Sequence, residues 1–299
     1  VQATTSYYWS EGAFSTYQGF PRSIAVHDRR RVFAGTTLGT MSLWFSKTSD
    51  LNNFKISTDA DGAIYRTLAA TRQAPILWLA SQRRLFVGTN TGEWVIGADT
   101  DTPLSPTDFI AREYTRFGSN TVPALTINDS VYFIERQGKH LRELAYVLSR
   151  ETFDAANLNR IAEHITATGI IQMAFQQSRE PFLWSVRTDG TLLAFAYHRA
   201  ENMAAWSKHT TQDGLFRSVT VTRQDAEDDD VHFCVQRGSN FRLEKFATAQ
   251  QAAIEDEDST AWHYVDAGTI GATSGGSNDL TIPAHLNGET LNVLADGIF

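Results

Sequence analysis

Four carboxylates beside predicted turns, Glu93, Glu135, Asp189 and Asp61, have the most chemistry within reach. Converged near the axis of a radial array of sheets, two of them could act as acid and as base or nucleophile in glycoside cleavage. Their local settings suggest something plainer. Asp189 precedes Gly190 and Glu93 follows Gly92, places where turn hydrogen bonding already accounts for a polar side chain. The eight histidines, His27, His140, His164, His198, His209, His232, His263 and His285, are scattered. None has the His-Glu-x-x-His spacing that sets two imidazoles on one helical face, so they read as single hydrogen-bonded or surface residues. The run Asp225 to Asp230, DAEDDD, offers oxygen ligands for calcium but lacks the alternating ligand-and-glycine pattern, and reads as a solvated turn. GTNTGEW, Gly88 to Trp94, has the glycines of a phosphate loop without its lysine or following helix, and there is no G-x-S-x-G elbow. The expectation is a non-enzymatic chain with no catalytic, cofactor-binding or metal-ligating residue assigned and no cofactor.

The elements that carry these residues repeat. Five segments share an aromatic-centred apolar run, a polar turn with glycine and a second apolar run: RVFAGTTLGTMSLWF, RLFVGTNTGEWVIG, VYFIERQGKHLREL, FLWSVRTDGTLLAFAY and VHFCVQRGSNFRLEKF. Their central aromatics, Phe33, Phe86, Phe133, Trp184 and Phe233, are spaced by 53, 47, 51 and 49 residues. A period near fifty with several strands per unit predicts an all-β fold, a β-propeller of about five blades, since one four-stranded sheet cannot bury both faces alone. An irregular unit between Thr100 and Val122 would raise the count. The glycines Gly35, Gly39, Gly88, Gly92, Gly138, Gly190 and Gly238 read as turn residues supplying positive φ.

Apolar runs before each hairpin, Ile24–Val26, Ile76–Leu79, Ala124–Ile127, Ile170–Phe175 and Phe216–Val221, predict first, innermost strands. Outer strands are less regular. Ala205–Ser207 marks one, and Trp9 marks an orphan that could complete the last blade by pairing residues near Tyr7–Trp9 with the Phe241–Phe246 strand; Trp262–Val265 competes for that place. Small helical insertions are expected at Asp154–Ile165, where Leu158, Ile161 and Ile165 have helical spacing behind a capping Asp154, and around Ala247–Ile254. The propeller is assigned to residues 1–258. Residues 259–299, with the loop-like ATSGGSND from Ala272, read as the start of a separate β-rich domain or its linker.

Lysine and arginine total 26 against 34 aspartate and glutamate, a formal charge of -8. That balance disfavours tight binding to a phosphate backbone, although a channel that DNA passes without sticking is compatible. The single Cys234 excludes an internal disulfide. No run of 18 apolar residues is present to span a bilayer. Arg29–Arg31 and Arg83–Arg84 stand just before the second strand of the first two units and predict charged turns along one rim, with a docking surface for an acidic partner as the alternative. Neither Val1 nor the closing LNVLADGIF reads as a natural boundary, so a piece of a longer polypeptide is expected.

In this order the segments GFPRSIAVHDRRRVFAGT, LWFSKTSDLNNF, ILWLASQRRLFVGTNTGEWVI, VYFIERQGKHLRELAY, PFLWSVRTDGTLLAFAYHRAENMAAWSKH and HLNGETLNVLADG resemble the tubular or nozzle-type tail proteins of short-tailed bacteriophages. The resemblance spans nearly the whole chain and contains no catalytic signature. It implies a virion component of the tail: a homo-oligomeric ring, six-fold, that contacts an adaptor ring and tail fibre proteins and lets the genome pass without specific binding. The alternative from the residues themselves is a carbohydrate-binding or glycan-cleaving propeller, which exposed tryptophans beside converged acids would favour and buried Trp44, Trp78, Trp94 and Trp184 would oppose.

Overall fold

The computed structural model describes residues 12–98, 102–178, 181–201, 203–223 and 229–246. They form an all-β, propeller-like fold of antiparallel meander sheets. The chain divides into two compact units, Val1–Ile171 and Gln172–Phe299. No helix among the described residues is long and apolar enough to cross a membrane.

The first unit holds three four-stranded sheets. Sheet one is β1 (Ser23–His27), β2 (Arg30–Ala34), β3 (Ser42–Phe45) and β4 (Ile64–Thr67). Sheet two is β5 (Ile76–Ser81), β6 (Leu85–Thr89), β7 (Glu93–Gly97) and β8 (Ile110–Thr115), and sheet three is β9 (Leu125–Ile127), β10 (Ser130–Ile134), β11 (Leu141–Val147) and β12 (Thr152–Asn157). In each, the aromatic hairpin forms the central pair and the preceding apolar run forms one edge strand, as the alternation of side chains predicts. The described residues of the stretch between Thr100 and Val122 supply β8, the fourth strand of sheet two, and no extra unit.

Packing between sheets follows strand parity. Val32, Ala34, Leu43 and Phe45 of sheet one bury against Ile76, Leu85, Val87 and Ile96 of sheet two. The other face of sheet two, with Trp78, Phe86 and Val95, buries against Val131, Phe133 and Leu144 of sheet three. Two consecutive repeat centres, Phe86 and Phe133, therefore enter the same intersheet layer, whereas Phe33 lies on the opposite face of its sheet from Val32 and stacks with Phe54 at 5.5 Å. A sequence spacing near fifty does not fix the face, because a change of one residue flips it.

The second unit holds a four-stranded sheet, β13 (Ile170–Gln176), β14 (Phe182–Arg187), β15 (Leu192–His198) and β16 (Met203–His209), whose first strand begins at the boundary. A sheet of three described strands follows, β17 (Leu215–Thr222), β18 (Asp230–Arg237) and β19 (Asn240–Lys245). Trp184, Val186 and Leu192 of the first pack on Phe216, Val219, Phe233 and Val235 of the second. Residue Trp9, the expected orphan strand, lies outside the described residues, as do Ala247–Ile254, Trp262–Val265 and the 259–299 domain.

The helix expected at Asp154–Ile165 is absent. Thr152–Asn157 is instead the fourth strand of sheet three, pairing Asp154 with Ala145 and Ala156 with Glu143. Ala155 thereby enters the layer shared with sheet two, a burial that outweighs weak local helix propensity. The chain then turns, with the Leu158 amide bonded to the Leu141 carbonyl and Ile161 fully exposed. The helical insertions among the described residues are single 3-10 turns at Leu148–Arg150 and Arg199–Glu201.

Three glycine assignments also change: Gly39, Gly88 and Gly92 do not have positive φ. Gly35, Gly138, Gly190 and Gly238 have the positive φ expected of turns. Gly88 lies inside β6, where a Cβ would overlap the Trp78 indole on the neighbouring strand, so its task is to make room for a ring. Gly92 likewise has no positive φ; a Cβ there would meet the Thr115 carbonyl at 2.6 Å.

Candidate functional site

Asp61 and Asp189 are each engaged by a neighbouring cation within their own unit. Asp61, on the loop before β4, pairs with Lys47 at 2.9 Å, and that hydrogen bond holds its carboxyl below the usual range. In the second unit, Asp189 pairs with Arg187 at 2.5 Å and accepts the Thr191 amide at 3.1 Å. Burial alone would raise the Asp189 carboxyl, but its bonds to Thr191 and Arg187 outweigh it and lower the value.

Glu93 and Glu135 do come together, around the crossover from sheet two to sheet three. Glu93 opens β7 with its side chain on the face that meets sheet three, and it is completely buried. One carboxylate oxygen accepts the Thr115 hydroxyl at 2.6 Å and the other accepts the Ser119 hydroxyl at 2.9 Å. The backbone N–H of Phe117 also points to it. Burial dominates these bonds and raises the Glu93 carboxyl from its ordinary 4.5 to about 7. Ser119 forms an antiparallel bridge with Glu135, whose carboxylate accepts Arg142 Nε at 2.8 Å and His140 Nδ1 at 3.1 Å. Arg142 also donates to the Ala155 carbonyl at 2.8 Å, and its guanidinium lies 3.4 Å from the centre of the Phe117 ring.

The segment Arg116–Asn120 is thus fastened on both sides. The Ser119 amide bonds to the Thr89 carbonyl of sheet two at 2.8 Å, and the Asn120 amide to the Ile134 carbonyl of sheet three at 2.8 Å. Gly118, immediately before them, has φ +75°, and a Cβ would overlap the Asn90 carbonyl. Gly118→Ala is expected to cost about 1–2 kcal/mol from the left-handed backbone alone, and more from displacing Asn90. Gly138→Ala makes the control, because its φ is +78° yet the nearest atom to a new Cβ is 3.5 Å away. Melting curves of the two variants should show a clearly lower midpoint for Gly118→Ala; equal midpoints would refute the close fit.

Chemically this cluster is a carboxylate with its oxygens occupied beside an ion pair covered by a phenyl ring. It has the makings of a joint between the two sheets. The acids of the DAEDDD run that are described also work within the fold: Asp229 accepts the amides of Gln177 at 2.7 Å and Ser178 at 3.0 Å, and Asp230 pairs with Lys245 at 3.3 Å. Residues 225–228 lie outside the described residues. Among the described residues no three His, Cys, Asp or Glu side chains are grouped to hold a metal ion.

No family model and no curated protein matches the chain. Among solved structures, it is similar to an auxiliary nutrient binding protein from Bacteroides thetaiotaomicron, with 10% identity over 77% of this chain and 58% of that one and a TM-score of 0.41. It is similar to a protein from Lactobacillus plantarum, with 10% identity over 77% of this chain and 71% of that one and a TM-score of 0.43. The chain thus spans well under two thirds of the nutrient binding protein's length. Neither likeness bears on activity.

Trp78, Trp94 and Trp184 are buried, and the indole N–H groups of Trp78 and Trp94 have no hydrogen-bond partner among the described residues. Trp44 is half-buried in a row that runs across sheet one from Phe33 to Tyr65, with Phe14 edge-on at 5.2 Å.

The basic rim divides. Arg29 is exposed, but Arg30 is 1% exposed and donates to the carbonyls of Ser46 at 2.8 Å, Gly62 at 2.5 Å and Ala60 at 2.9 Å. The middle of the arginine triplet is a structural post within sheet one and not part of a docking surface. No sequence signal separates it from its neighbours, apart from its position opening β2, where side chains alternate inward and outward.

Proposed function

We propose that this chain is a non-enzymatic structural protein of a short-tailed bacteriophage tail, of the nozzle or tubular type, assembled as a six-fold ring that supports genome passage and carries adaptor and fibre contacts. The observation that favours a structural role is the internal use of the side chains that could have done chemistry. Glu93, Glu135, Asp189 and Asp61 are each committed to neighbouring hydroxyls, amides or cations, and Trp78, Trp94 and Trp184 are taken up in layers between sheets. A sugar-stacking propeller would need such rings at the surface. The phage assignment itself rests on the ordered segments that resemble the tail family. A formal charge of -8 suits a wall that DNA passes without adhering.

A heterologous ring contact closes only if one patch meets a different patch on its neighbour, and a stable one buries more than about 1,000 Å². The test is a density map of the tail particle that contains this chain. Six copies around the tail axis, each touching two neighbours, are expected. A single copy, or a monomer in solution that binds glycans on an array with no ring partner, would overturn the assignment.

A further inference from the structure

We propose that Glu93 is a proton-operated latch on the crossover between sheets two and three, closing the Arg116–Asn120 segment onto both sheets when its carboxyl is neutral and loosening it when the carboxyl ionises. The geometry is particular to this residue. Its carboxyl is fully buried, and the groups that reach it, the Thr115 and Ser119 hydroxyls and the Phe117 amide, all come from the end of β8 and the crossover itself. A neutral carboxyl remains satisfied there, because the Thr115 hydroxyl can reverse its role and accept the acid proton. An ionised one keeps its hydrogen bonds but sits without water, and the way to hydrate it is to lift the crossover that covers it.

The surrounding charges do not cancel that penalty. Arg142, from β11, favours the ionised form, but its guanidinium is engaged by Glu135, the Ala155 carbonyl and the Phe117 ring. Glu113 on β8 lies beside Gly92 and pairs with Arg116 at 3.1 Å. Arg136 follows the bridge residue Glu135, and its amide bonds to the Gly118 carbonyl. His140 sits between Glu135 at 3.1 Å and Glu163 at 3.7 Å, so its part must be separated experimentally.

The sign follows from proton linkage. With the closed-state value near 7 and the ordinary value 4.5, the closed form binds more protons between these limits. The contribution of neutral Glu93 to closure is complete below about 4.5 and gone above about 7, so the opening equilibrium rises about tenfold per pH unit across that window and then levels.

Hydrogen exchange of the full chain, corrected for intrinsic rates and read at the Ser119, Asn120 and Arg136 amides from pH 5 to 8.5, tests the latch. Protection should fall with rising pH and level near 7 in the wild type, stay flat in Glu93→Gln, and fall as before in His140→Gln. Should Glu93→Gln fail to fold, Ser119→Ala serves: loss of a donor to the ionised form must move the levelling point to higher pH. A flat wild-type profile, a pH dependence that survives in Glu93→Gln or vanishes in His140→Gln, or an unmoved levelling point in Ser119→Ala would overturn the proposal.

Discussion

Replacing Phe133 by alanine should remove about 3–5 kcal/mol of stability, the loss typical of a large ring deleted from a packed core. Phe133 is fully buried in β10, and its ring lies 5.6 Å from that of Trp78 on sheet two. Val131 and Leu144 flank it in the same layer. Deletion therefore opens a void between two sheets, with rigid β-strand backbone on each side to resist collapse. Phe133→Leu refills most of the volume and should cost less than half as much. Phe33→Ala is the informative contrast, because Phe33 occupies the same place in the sequence repeat but is only half-buried, among Phe14, Phe54 and Trp44. Urea unfolding monitored by circular dichroism should rank the losses Phe133→Ala, then Phe33→Ala. Equal losses would mean that the repeat position, and not the face it occupies, sets the energy.

Arg30→Ala is expected to be comparably damaging, about 3–5 kcal/mol, from unpaired buried carbonyls together with the volume removed. The guanidinium holds the Ala60–Gly62 loop against the end of β3, and the Ser46 and Gly62 carbonyls it serves belong to buried residues. Burial lowers the guanidinium's proton affinity while Asp61 and Asp28 oppose that change. Arg30→Lys keeps the charge but loses the planar fork that reaches several carbonyls at once, and should recover only part of the loss. Urea midpoints of the two variants, compared with Arg29→Ala on the exposed neighbour, provide the measurement. An Arg30→Ala protein as stable as Arg29→Ala would return the triplet to the surface.

The hairpins were legible in sequence because two physical signals coincide there, period-two alternation and a glycine-containing turn. Edge strands carry neither signal reliably. In β4, Tyr65, Arg66 and Thr67 are all exposed, so no apolar alternation marks the strand. The segment at Asp154–Ile165 shows a stronger conflict: Leu158, Ile161 and Ile165 have helical spacing, but the decisive interaction is Ala155 in a layer built with residues about sixty to seventy-five positions earlier, such as Phe86 and Ala80. Local periodicity cannot register a partner that distant.

The candidate site was legible in composition and not in arrangement. Glu93 was expected beside its turn glycine, and it does follow Gly92. What the sequence could not convey is that Thr115 and Ser119, more than twenty residues later, return to its two oxygens. Arg30 was hidden for a similar reason, since a charged triplet looks uniform until strand parity turns its middle member inward.

The close fit of Gly88 against Trp78 makes these two positions a single unit of inheritance. A side chain at 88 can arise only after the indole has been traded for something narrower, and a restored indole demands that the side chain be surrendered first. Homologous chains should therefore display the two changes together, with either one alone selected against, and that paired drift would trace the β5–β6 contact through lineages whose sequences have otherwise diverged.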